Sequence, residues 1–181
     1  MPSLHLVPIY CGPVADHLPH LARCLQSVFG CTVEQCPPAF DPESCYDAQR
    51  GQYNSRLVLA RLRERAPADA GRILGVAGVD LFIPVLTYVF GEAELDGRVA
   101  VVSSFRLENE LYGLPAAPSL LVERLVKEAI HEIGHTFGLL HCHRGHCVMT
   151  SSTYVEGIDL KEAAFCDPCH RLLRQRLRRQ V

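Results

Sequence analysis

The chain has 181 residues, 48% of them apolar, a formal net charge of −2 and nine cysteines. That length and composition suit one globular domain with a sizeable core. The near-balanced charge gives no steering field for nucleic acid or anionic lipid, and no apolar run approaches the roughly 20 residues that span a bilayer. No basic, apolar leader follows Met1, so a cytoplasmic, reducing setting is expected.

In chain order, Leu4–Tyr10 reads as a strand, Val14–Phe29 as an amphipathic helix and Thr32–Gln35 as a short strand. Proline and glycine at 37, 38, 42 and 51 mark a loop. Leu57, Leu59 and Leu62 restore helical spacing over Ser55–Arg65, and Arg72–Leu81 is an apolar strand candidate. Leu86–Glu94 and Arg98–Leu107 are strand-like and flank Asp96-Gly97, a hairpin signal. The spacing therefore predicts an α/β fold: a twisted, mainly parallel sheet with an antiparallel edge strand and about three main helices.

Glu108–Pro118 reads as a surface loop in which Glu110 or Tyr112 is a candidate substrate contact and plain solvation the default. From Ser119 onward, Leu121, Leu125, Ala129 and Ile133 line one face of an amphipathic helix. That helix carries His131-Glu132-Ile133-Gly134-His135 and runs into Thr136-Phe137-Gly138-Leu139-Leu140-His141, the pattern HExxHxxGxxH. Residues four apart share a helix face, so His131 and His135 can reach one metal ion with Glu132 beside them. A continuous helix would carry His141 about 15 Å along the axis from His131. Zinc–nitrogen bonds of about 2.0–2.1 Å cannot span that, so the chain must turn, and Gly138 can take the left-handed conformation that ends a helix. Three imidazoles leave a fourth zinc position for water, with Glu132 as general base and acid.

Four cysteines follow: Cys142 and Cys147, then Cys166 and Cys169 in a CxxC spacing. Together they predict a closed four-thiolate zinc site, with two disulfides or a mixed site using His143 or His146 as the competing readings. Two zinc ions, one catalytic and one structural, are thus expected. Cys11, Cys24, Cys31, Cys36 and Cys45 lack ligand spacing and read as core or surface thiols. The tail holds Arg171, Arg174, Arg176, Arg178 and Arg179 in a helical pattern, a solvated face rather than a nucleic-acid site.

HExxHxxGxxH at 131–141, the flanking Cys142-x4-Cys147-x-Met149 and the closing Cys166-x2-Cys169 resemble the metzincin clan of metallopeptidases, and within it the archaemetzincins. The resemblance implies a zincin-like fold, catalytic ligands His131, His135 and His141, general base Glu132, and a second zinc on the four cysteines. It also implies that Met149 forms the tight turn beneath the metal and that the edge strand, here Leu86–Glu94, pairs with an extended peptide. Where some metzincins place a zinc-binding tyrosine, two residues after that methionine, this chain has Ser151, and Tyr154 lies further on.

The expected organisation is one catalytic domain over residues 1–181, with residues 1–138 ending in the active-site helix and 139–181 forming a C-terminal subdomain. The expected activity is peptide hydrolysis by a monomer. Hydrolysis of non-peptide amides and a zinc-stabilised binding module are the alternatives.

Overall fold

The computed structural model describes residues 3–65 and 71–178. Strand β1 (Ser3–Ile9) leads through a 3-10 turn at Gly12–His17 into α1 (Leu18–Phe29), and β2 (Thr32–Gln35) follows. Short strands β3 (Tyr46–Asp47) and β4 (Gln52–Asn54) precede α2 (Ser55–Arg65), β5 (Arg72–Ala77), β6 (Leu81–Phe82), β7 (Gly91–Ala93) and β8 (Val99–Ser103). The chain then enters α3 (Pro118–Thr136), and α4 (Val155–Leu160) and α5 (Asp167–Arg178) complete the described residues.

The main sheet runs β2-β1-β5-β8-β7, parallel throughout except for β7, which pairs antiparallel with β8 at one edge. Side chains alternate along these strands and feed two apolar layers. Leu4, Leu6, Leu74, Val76, Ala100 and Val102 face α1 and α3, while Ile9, Ile73, Val99 and Val101 pack with Val58, Leu59 and Leu62 of α2. Burying each large aliphatic side chain contributes roughly 1.5–3 kcal/mol, so this two-sided burial fixes the sheet that holds α3.

Several boundaries differ from the sequence reading, each for a local reason. The first helix begins at Leu18 because Gly12-Pro13 opens a 3-10 turn instead. Arg72–Leu81 divides into β5 and β6, since Gly78 sits so close to the Tyr10 carbonyl, 2.4 Å from where a Cβ would lie, that the chain turns away. β6 then joins β3 and β4 in a separate three-stranded sheet. Of Leu86–Glu94 only β7 is regular strand; the Leu86 N–H donates to Ile83 O (3.0 Å) to close a turn, and Val89 makes an isolated antiparallel bridge to Leu81. β8 likewise ends at Ser103, and Phe105–Leu107 forms a 3-10 turn. The hairpin at Asp96-Gly97 is present, with Asp96 in the left-handed region at φ 54.

Candidate active site and metal centres

Helix α3 is buried along most of its length, and its last two turns carry His131, Glu132 and His135. Pro118 starts it and Gly138, at φ 78, ends it. The Gly138 N–H donates to His135 O (2.8 Å) and the Leu139 N–H to Gly134 O (3.2 Å), so the chain reverses and returns His141 to the face it would otherwise have left. The three imidazoles converge: their ligand nitrogens all lie within 4.8 Å of one another, and His131 Nε2 is 3.0 Å from His135 Nε2. Tetrahedral zinc with bonds of about 2.0–2.1 Å needs nitrogens about 3.3–3.4 Å apart, so the set fits a metal ion with little adjustment.

Two of the rings are oriented by backbone. His131 Nδ1 lies 2.8 Å from Val148 O and His135 Nδ1 2.7 Å from Leu139 O. A carbonyl can only accept, so Nδ1 carries the proton and Nε2 offers a lone pair to the shared centre. Burial pushes His131 well below the usual imidazole range, and burial likewise lowers His135 and His141, which keeps all three in the neutral, metal-binding form.

Glu132 is buried beside them. Burial raises its carboxyl well above the usual range, Glu128 raises it further, and Lys161 opposes both. Strand β7 holds it from above. A Cβ on Gly91 would lie 2.7 Å from Glu132 Cγ and Oε1 and 2.6 Å from Val101 O, so only a hydrogen leaves room for the carboxylate. From below, Met149 packs its sulfur against Gly134, 2.5 Å from where a Cβ would be.

A cleft of about 700 Å³ opens on this centre, walled by Tyr88, Phe90, Leu95, Leu140 and Tyr154 and floored by Glu128 and His131. Tyr88 Oη donates to Thr153 O (2.8 Å), tying one rim to the other. Ser151 also lines the cleft, and Tyr154, 69% exposed, stands on the outer rim. Glu110 and Tyr112 do not line it; Tyr112 Oη instead donates to Arg106 O (2.9 Å) in its own loop.

The four later cysteines form a second cluster, their sulfurs all within 4.8 Å of one another, and Cys142 Sγ and Cys166 Sγ stand 3.8 Å apart. Zinc–sulfur bonds of about 2.3 Å give a tetrahedral edge of about 3.8 Å, whereas a disulfide needs sulfurs about 2.05 Å apart. The donor set fits a metal, and all nine cysteines are unpaired. Burial raises the thiols of Cys147 and Cys169; at Cys166 burial is outweighed by the Cys169 N–H and the neighbouring thiols, and its thiol moves down. One backbone step separates His141 from Cys142 of the thiol cluster, and the Cys142 N–H donates to Met149 O (2.9 Å). His143 and His146 are exposed and belong to neither cluster. Arg176 of α5 reaches Asp96 at 3.6 Å, while Arg171, Arg174 and Arg178 are exposed and Arg179 lies outside the described residues.

Sequence reading missed one buried pair. Lys161, with a fully buried side chain, meets Glu128 at 2.6 Å and donates to Thr150 O (3.1 Å). The available signal was the series Glu128, His131, Glu132, His135, whose spacing puts four polar residues on one face of an otherwise apolar helix.

Residues 40–175 match the model of peptidase family M54. The chain is 41% identical over 167 residues to the archaemetzincin of Methanocaldococcus jannaschii, covering 91% of each. It is 44% identical over 138 residues to that of Methanopyrus kandleri, covering 76% of this chain and 75% of the relative. The crystal structure of archaemetzincin from Methanopyrus kandleri superposes with a TM-score of 0.87 at 37% identity, covering 98% of this chain and 96% of that one. A zinc-dependent peptidase from Methanocorpusculum labreanum superposes at 0.81 with 34% identity, covering 94% and 99%. No helix among the described residues is long and apolar enough to cross a membrane.

Proposed function

The chain belongs to peptidase family M54 and is a zinc metallopeptidase, and from that premise we propose that Glu132 serves as general base and acid in peptide-bond hydrolysis. The observation that carries this is a buried carboxylate beside three convergent, neutral imidazoles at the floor of an open cleft. His131, His135 and His141 would hold the catalytic ion. Zinc bound there supplies polarisation of the scissile carbonyl and acidification of the attacking water.

Glu132 accepts the water's proton on its carboxylate and returns a proton to the leaving amine. The backbone at Gly91 lies close against that carboxylate, so little reorganisation accompanies the transfer. One edge of β7 pairs with β8, and Gly91–Ala93 also border the cleft; an extended peptide can add there as a further strand through backbone hydrogen bonds. Cys142, Cys147, Cys166 and Cys169 would hold a second, structural zinc, making two per chain, and Met149 forms the support beneath the imidazoles. Nine cysteines without a disulfide among them suit a reducing compartment such as the cytoplasm.

The test is a peptide-cleavage profile of the zinc-loaded protein against Glu132→Ala, with a matched panel of small non-peptide amides. Glu132→Ala should retain metal and lose cleavage. Cleavage surviving that change would sink the mechanism, and preference for small amides would favour a different substrate class.

A further inference from the structure

The Glu128–Lys161 pair has a consequence for the substrate. Glu128 lies one helical turn before His131 and Glu132, so the three share a face with neighbouring side chains about 5–6 Å apart. Its side chain is only 5% exposed, yet it lines the cleft. The fully buried Lys161 ammonium holds Glu128 Oε1 at 2.6 Å, and among the described residues none donates to the second carboxylate oxygen. Ser152, which also lines the cleft, keeps a buried hydroxyl without a partner among the described residues. The same cleft is lined by the aromatic side chains of Tyr88, Phe90 and Tyr154. A carboxylate that lines the cleft with one oxygen held by Lys161 and the other without a protein donor offers an acceptor to an entering side chain.

Resting on the peptidase reading above, we infer that Glu128 is a specificity-determining residue: it accepts a hydrogen bond from the tip of the substrate side chain entering the pocket beside His131. The favoured side chain is apolar along its length and ends in a neutral donor, as glutamine and tyrosine do. A substrate ammonium is disfavoured, because Lys161 already balances the carboxylate and would repel a second buried cation. An acidic tip is disfavoured because it brings an acceptor to an acceptor.

Peptidyl hydroxamates test this on the zinc-loaded protein, because the hydroxamate grips the metal and fixes which residue enters the pocket. Two matched pairs, glutamine against methionine and tyrosine against phenylalanine, are compared by calorimetry. Native protein should bind the donor-bearing member about tenfold tighter, the worth of one hydrogen bond to a charged group. Glu128→Gln, which keeps the volume but places an amide among the groups facing the pocket, should lose that advantage. The double variant Glu128→Leu/Lys161→Met should prefer methionine and phenylalanine, and melting temperature and zinc content verify that each variant is folded. Pair members binding within twofold on native protein, no measurable binding of any, or an unchanged preference in Glu128→Gln would overturn the assignment. Calorimetry reads the pocket without turnover, so a protein that shows the preference yet cleaves no peptide refutes the peptidase mechanism and not this one.

Discussion

Gly91→Ala is a small change with a large expected effect. The added methyl would lie 2.6 Å from Val101 O and 2.7 Å from Glu132 Cγ and Oε1. Non-bonded contacts settle near about 3.5 Å, so something must yield by roughly 0.8 Å. Val101 belongs to β8, held between β5 and β7, and its carbonyl cannot withdraw without disturbing two ladders. The Glu132 side chain has only its rotamer to lose. A displacement near 1 Å of a catalytic group costs on the order of 10²-fold, so kcat should fall about 10- to 100-fold. Stability should fall by about 1–3 kcal/mol, the usual cost of overpacking. Steady-state kinetics on a cleaved peptide, with zinc content and melting temperature measured alongside, check this. A kcat within twofold of native, or a rise in KM with kcat preserved, would show that the strand moves instead of the carboxylate and refute the reasoning.

Lys161→Met should destabilise the fold by about 3–5 kcal/mol, because it strands Glu128 in the interior; urea unfolding should show the Glu128→Leu/Lys161→Met double variant recovering most of that loss. Cys166→Ser should reduce zinc from two ions per chain to one by elemental analysis and loosen the segment 139–178, detected as faster amide exchange there. In metal-free protein the three imidazoles bind protons less readily folded than unfolded. Stability should therefore be full above their unfolded value near 6.5 and drop as pH falls below it, and a pH series of urea melts showing no such loss would contradict the burial of these rings.

The parts of this site that sequence made legible are those with a local period or spacing. The apolar runs of β1, β5 and β8 and the i, i+4 histidines of α3 announce themselves within a few residues of each other. His141 was legible because a straight helix could not deliver it and Gly138 could. β3, β4 and β6 were not, since strands of two or three residues are too short to show alternation. Gly91 carries no signal in isolation: its importance lies in what stands opposite, 41 residues later. Lys161 and Glu128 are likewise separated by 33 residues, and nothing in either neighbourhood names the other. Arg124 is similar, its bidentate grip on Asp159 at 2.7 Å joining α3 to α4 across 35 residues.

The single peptide step from His141 to Cys142 couples two binding equilibria. Before the thiol cluster closes on a metal, the loop from Leu139 to Met149 must hold His141 in place by backbone contacts alone, at the full entropic cost of ordering it. Filling the thiol site removes that cost in advance, so the three-imidazole site should bind zinc more tightly afterwards. Thermodynamic reciprocity then requires the converse by the same factor. Loading of the two clusters is accordingly expected to be cooperative, metal at either one favouring metal at the other.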